Sequence, residues 1–306
     1  MKGLKFLVVL VASFALLGCA PSSSDGDVLG DEKVEVVATV GMLADMVKNV
    51  GGERVEVKAL MGANVDPHAY QPTAGDMRAM QRADVVFYVG LHLEGKMVDV
   101  FESMAKDGRA FGTGEFLDES RLLSFDGQND PHIWFDLVLW ADTIEGVRDK
   151  LSEVDPEGAE EYAINAERYF QEIMALDEWV RGEIEQIPVE RRVLVTAHDA
   201  FGYFGRAYGV EVEAIQGINT VQEYGVKDLE ELVDFIVEKE VPLIFVESSV
   251  SQRSMNALRE GVMGRGFEVE IGGELFSDAM GPVGSEAGTY VGMVRHNVFE
   301  ISKLKN

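Results

Sequence analysis

The sequence predicts an α/β protein of two lobes, each a mostly parallel sheet flanked by helices, joined by one long bridging helix. Three observations carry this expectation. Short β-rich runs alternate with amphipathic helical patterns in both halves. The run Val85–Val89 is continuously apolar, as a strand buried in a parallel sheet is. Between the halves lies a single amphipathic pattern longer than an ordinary globular helix.

The elements follow in chain order. Val34–Val40 reads as a strand ending at Gly41, followed by a helix from Met42 to about Val50. Val55–Leu60 alternates like a strand. Pro72 and the Thr73/Asp76 pair mark a helix start with a capping box, leading into the Val85–Val89 strand. A helix from Lys96 to about Ala105 precedes a loop-rich stretch, and another begins near Asp136. Asp155-Pro156 then offers an N-cap acid and a first-turn proline. Tyr162, Ala166, Tyr169, Ile173, Leu176, Val180, Ile184 and Ile187 recur at steps of three and four until Pro188. That pattern predicts a helix of roughly 30 residues, roughly 45 Å long, enough to cross between domains; the alternative is a packing helix within one domain. Strands are expected at Arg192–Ala197, Val210–Ile215, Pro242–Val246 and Phe267–Ile271, with helices at Val226–Lys239 and Thr289–Lys305.

The N-terminus stands apart from the fold. Lys2 and Lys5 precede an apolar run, Phe6 to Leu17, of about the length of a signal-peptide core and too short to span a bilayer. It ends in Leu-Leu-Gly-Cys, which resembles a bacterial lipobox with Cys19 as the lipidated residue. Residues 1–18 are thus expected to be a lipoprotein signal peptide and 19–33 a flexible acidic tether. The N-terminal lobe is placed at 34–154, the bridging helix at 155–188 and the C-terminal lobe at 189–306. Cys19 is the only cysteine, so no disulfide is expected. The mature chain is expected to be a monomer outside the cytoplasm, attached to the membrane through its lipid. The formal charge is −27, from 27 basic and 54 acidic residues, which argues against a nucleic-acid partner.

Two of the five histidines share one frame: Asp66-Pro67-His68-Ala69-Tyr70 and Asp130-Pro131-His132-Ile133-Trp134. His198 directly follows a predicted strand, and Asp278 follows another by several residues. Ligands gather beyond the carboxyl ends of strands in α/β sheets. Three imidazoles and a carboxylate from four such loops would make a four-coordinate metal site, suited to zinc and acceptable to manganese. Other readings stand beside this one. Asp-Pro is a common turn signal, and Asp199 and Asp136 are candidate helix caps. His92 reads as a loop residue near the cleft and His296 as helix surface or packing. Tyr70 and Trp134 read as site walls.

Seven motifs taken in order resemble one family: V-D-P-H-A-Y-Q-P-T, G-L-H-L-E, N-D-P-H-I-W-F-D, T-A-H-D-A-F-G-Y-F, Q-G-I-N-T, F-V-E-S-S and L-F-S-D-A-M-G. From about Val34 to the C-terminus the chain is similar to the TroA-like (cluster A-I) solute-binding lipoproteins of zinc and manganese ABC importers. That resemblance implies one Zn2+ or Mn2+ per chain, carried as cargo. Its ligands would be His68 and His132 from the first lobe and His198 and Asp278 from the second. It also implies delivery to an ABC transporter permease. Manganese-dedicated members carry a carboxylate where His198 stands, which leans toward zinc. Many zinc-dedicated members carry a His-rich loop where Gly112 to Asp130 has no histidine, so manganese stands close behind. Three neutral imidazoles imply an affinity that falls as pH drops through about 6.5. Two rivals remain: a zinc-dependent hydrolase with Glu247 as base, and a surface adhesin with a structural metal.

Overall fold

The computed structural model describes residues 33–222 and 224–305. Cys19, with all of the expected leader and nearly all of the tether, lies outside the described residues.

The first half runs β1 (Val34–Ala38), α1 (Gly41–Gly51), β2 (Val55–Ala59), α2 (Ala74–Arg82), β3 (Val85–Tyr88), α3 (Val98–Lys106) and β4 (Ala110–Gly112). A short antiparallel hairpin follows, β5 (Ser124–Phe125) and β6 (Gln128–Asn129), before α4 (Leu137–Val154). The four longer strands pair in parallel in the order β2-β1-β3-β4. All four residues of β3 are buried, as their unbroken apolar character requires. The Thr73/Asp76 capping box forms at α2, and Tyr70 joins it by donating to Asp76. Tyr70 therefore braces a helix start instead of walling the site. Asp136 caps α4 by accepting from the Leu139 amide.

The long helix α5 (Ala159–Ile184) has 26 residues, about 39 Å at 1.5 Å per residue. Seven of the eight periodic apolar positions, Tyr162 to Ile184, lie on it, and all eight, with Ile187 just beyond its end, are buried. It packs on α1 and α4 of the first half and, in the second, on α6 (Gly202–Tyr208) and α9 (Tyr290–Ile301). Its start differs from expectation. Pro156–Gly158 form a single 3-10 turn, and Asp155 caps nothing. The Asp155 carboxylate instead takes a two-pronged contact from Arg54, at 2.7 and 2.9 Å, and a hydrogen bond from the Tyr162 hydroxyl. A bidentate guanidinium pair outcompetes a single backbone amide.

The second half contains β7 (Val193–His198), β8 (Glu211–Gln216), α7 (Val226–Glu238), β9 (Leu243–Glu247), α8 (Arg253–Gly264) and β10 (Glu270–Leu275) besides α6 and α9. β7 pairs with β8 and β9 with β10, both in parallel, and β7 lies beside β9. The spatial order β8-β7-β9-β10 repeats that of the first half. Most boundaries shift by a residue or two, and three differences from the sequence reading bear on the site. His198 is the last residue of β7. β10 begins three residues later than expected and continues through Gly272 and Gly273. α6 starts after Phe201 without a side-chain cap, so Asp199 does not serve there.

In an open α/β sheet, ligands enter the crevice where the strand order reverses. Here each crevice holds a buried glutamate of the protein's own. Between β1 and β3, Glu94 accepts from the Thr39 hydroxyl at 2.6 Å and from the Val89 and Gly90 amides. Between β7 and β9, Glu247 accepts from the Ala197 and His198 amides at 2.8 and 2.9 Å.

Candidate metal centre

His68 sits in the loop after β2 and His132 just before α4. His198 ends β7, and Asp278 lies three residues beyond β10. The fold brings these four together, each one buried. One donor atom from each lies within 4.8 Å of every other. The Nε2 atoms of His68 and His132 are 3.4 Å apart. Asp278 Oδ1 lies 3.3 Å from His132 Nε2, and Oδ2 lies 3.3 Å from His198 Nε2 and 3.7 Å from His68 Nε2. A tetrahedral ion with bonds of about 2.0–2.2 Å sets its ligands about 3.3–3.6 Å apart, so these spacings leave room for one ion. His92, by contrast, is exposed at a turn with positive φ. His296 lies against Phe276, its Nε2 2.8 Å from the Glu274 carbonyl oxygen.

The repeated Asp-Pro-His frame has a local cause. Proline has no amide hydrogen, so the first amide the aspartate can reach is the histidine's. Asp66 Oδ1 accepts from the His68 amide and Asp130 Oδ1 from the His132 amide, each at 2.9 Å. The second copy goes further, because Asp130 Oδ1 also lies 2.7 Å from His132 Nδ1. When a metal displaces the proton on Nε2, this contact keeps the remaining proton on Nδ1 and the Nε2 lone pair faces the cluster. Glu247 stands in the corresponding place for His198: its Oε2 is 2.5 Å from Nδ1, a close charge contact bent away from hydrogen-bond geometry. His68 Nδ1 has no such partner.

Asp278 is held through its loop. Asn297 on α9 clamps both the amide and the carbonyl of Phe276, and the Trp134 indole donates to the Ser277 carbonyl at 3.1 Å. The Trp134 ring also stands edge-on to His132, with centroids 5.3 Å apart. Neither carboxylate oxygen of Asp278 has a hydrogen-bond donor of its own, which leaves both free to bind a cation.

The charges are set by these contacts. Burial pushes His68 down to about 3, against the pull of Asp278. Burial also opposes charge on His132, but Asp130 and then Asp278 outweigh it and lift the imidazole to about 9. His198 resists burial in the same way and is driven well above its usual range by Glu247 and Asp278. Burial would raise Asp278, yet His198 and its neighbours hold it well below the carboxylate range. The sequence reading missed the braces. Asp130 was in view within the repeated frame, and Glu247 appeared as an acid at a strand end.

Two parallel-sheet halves on a shared helix, closed around a small cluster of nitrogen and oxygen donors, define a two-lobed solute-binding protein. The chain belongs to the ZnuA family, described as zinc-uptake complex component A, periplasmic, whose model matches residues 36–304. It is 44% identical over 297 residues to the manganese-binding lipoprotein MntA of Bacillus subtilis, covering 96% of each chain. It is 45% identical over 284 residues to the zinc-binding protein TroA of Treponema pallidum, covering 92% of each. The solved structure of that TroA superposes with a TM-score of 0.87 over 90% of this chain and 99% of its own. The manganese ABC transporter substrate-binding lipoprotein PsaA of Streptococcus pneumoniae is 30% identical over 305 residues, covering 97% of this chain and 96% of its own.

Proposed function

We propose that this chain is the extracytoplasmic solute-binding lipoprotein of an ABC transporter, capturing one divalent transition-metal ion and delivering it to the permease. His68, His132, His198 and Asp278 are its ligands. The single observation that carries this reading is the convergence of four buried donors at ion-coordinating distances. Residues 34–154 and 189–306 act as the lobes, with α5 restricting them to small relative movements. Three imidazoles with one carboxylate favour zinc, and manganese is the second candidate. Equilibration with both ions in competition, followed by metal content per chain, tests the reading. One ion per chain is expected, with zinc in excess; no bound metal would overturn it.

Glu247 is placed as the brace of His198, since its carboxylate is buried against two amides and the imidazole. That leaves no oxygen poised over a water, as a hydrolase base would need. Glu247→Gln is expected to weaken metal binding by about 10- to 100-fold, read by chelator competition. An unchanged affinity would remove that role.

Attachment to the membrane is assigned to Cys19, and the working form is taken to be a monomer. Among the described residues, no helix is long and apolar enough to cross a membrane. Cys19→Ser is expected to move the protein from the membrane fraction to the soluble fraction; continued sedimentation with membranes would count against lipid anchoring.

A further inference from the structure

Asp130 lies 2.7 Å from His132 Nδ1 and Glu247 Oε2 2.5 Å from His198 Nδ1, in poor hydrogen-bond geometry, whereas His68 Nδ1 is buried with no carboxylate beside it. The orientation of His68 therefore depends on its loop. That loop is tied by Asp66, whose Oδ1 accepts from the His68 amide at 2.9 Å. The other oxygen, Oδ2, accepts from the Thr220 hydroxyl at 2.6 Å, from the opposite half of the chain. The Thr220 segment is itself held. Gln216 Nε2 donates to the carbonyls of Thr220 and Gln222, and Asn219 Oδ1 accepts from the Val221 amide. The Gln216 carbonyl in turn accepts from the amide of Asp199, next to His198. A continuous run of hydrogen bonds thus connects the neighbour of His198 to His68 across the cleft.

We propose that Thr220 is a positioning residue for the cargo ion, holding His68 in coordinating geometry from the opposite lobe through Asp66. This rests on the metal-site reading above. While the cleft is closed, the Thr220 hydroxyl fixes the Asp66 carboxylate, and Asp66 fixes the His68 backbone. When the halves part, this bond breaks and the one imidazole without a carboxylate brace is freed. His68 is then the first ligand to leave and the last to engage.

The test measures zinc dissociation from the loaded full-length chain by stopped-flow chelation, in Thr220→Val, Thr220→Ser and His68→Ala backgrounds. Removing a hydrogen bond to a charged group through Thr220→Val is expected to speed dissociation about tenfold, leaving the association rate within about twofold. Thr220→Ser, which keeps the hydroxyl, is expected to restore the parent rate. On the His68→Ala background Thr220→Val is expected to add nothing, because the ligand it positions is gone. An unchanged dissociation rate in Thr220→Val, or the same acceleration with and without His68, would overturn the proposal. Thr220→Ala replaces valine if the latter disturbs folding. Undiminished zinc retention by His68→Ala would instead overturn the ligand assignment itself, so the two failures are distinguishable.

Discussion

Alanine at Asp278 is expected to abolish metal retention through desalting, with affinity reduced on the order of a thousandfold. Two effects act together. Asp278 is the one anionic donor facing the three imidazoles, and neither of its oxygens is committed to another donor. Its loss leaves a divalent ion facing neutral nitrogens in a buried space, where uncompensated charge is costly. The metal-free protein changes as well, because Asp278 helps keep His132 and His198 protonated. His68→Ala removes only a neutral donor and is expected to cost less. Metal content per chain and chelator competition read both variants. A stoichiometric ion surviving Asp278→Ala would exclude the carboxylate as a ligand.

Metal affinity is expected to climb with pH through neutrality, with a slope of log K against pH of at least one between about pH 6 and 8. The sign follows from proton competition. In the metal-free protein His132 is lifted to about 9 and so carries a second proton at pH 7, and Glu247 and Asp278 shift His198 in the same direction. A metal must displace such protons from Nε2, and each one contributes a tenfold affinity change per pH unit below its pKa. His68, depressed to about 3, is already neutral and contributes nothing in this range. The expectation from unperturbed histidines, a fall through about 6.5, therefore moves to higher pH. Calorimetry in buffers of different protonation enthalpy would count the released protons. An affinity flat between pH 6 and 8 would show that the imidazoles are neutral before the ion arrives.

Much of this architecture is legible in the residues. The apolar run of β3 and the periodic face of α5 each have one burial solution. The four candidate ligands are legible because a strand end or a proline-locked turn presents each of them. What failed did so for tertiary reasons. Asp155 reads as a helix cap until Arg54, 101 positions earlier, claims both its oxygens. The Gly272-Gly273 pair reads as the end of a strand, yet β10 runs through it. A Cβ at 272 would stand 2.8 Å from the Phe245 ring, and one at 273 only 1.6 Å from the Glu300 carboxylate. Those glycines report close approach, not termination. Thr220 carries no local signal, since its partner lies in another part of the chain.

The two stoppered crevices have a consequence for what the protein admits. Where a doubly wound sheet would ordinarily take in a nucleotide or a sugar, the carboxylates of Glu94 and Glu247 already occupy the amides such a guest would need. What the two halves leave between them is the cluster of His68, His132, His198 and Asp278 donors, all within 4.8 Å of one another. A guest bound there meets three imidazole nitrogens and one carboxylate, donors that suit a metal ion and offer no amide to an organic solute.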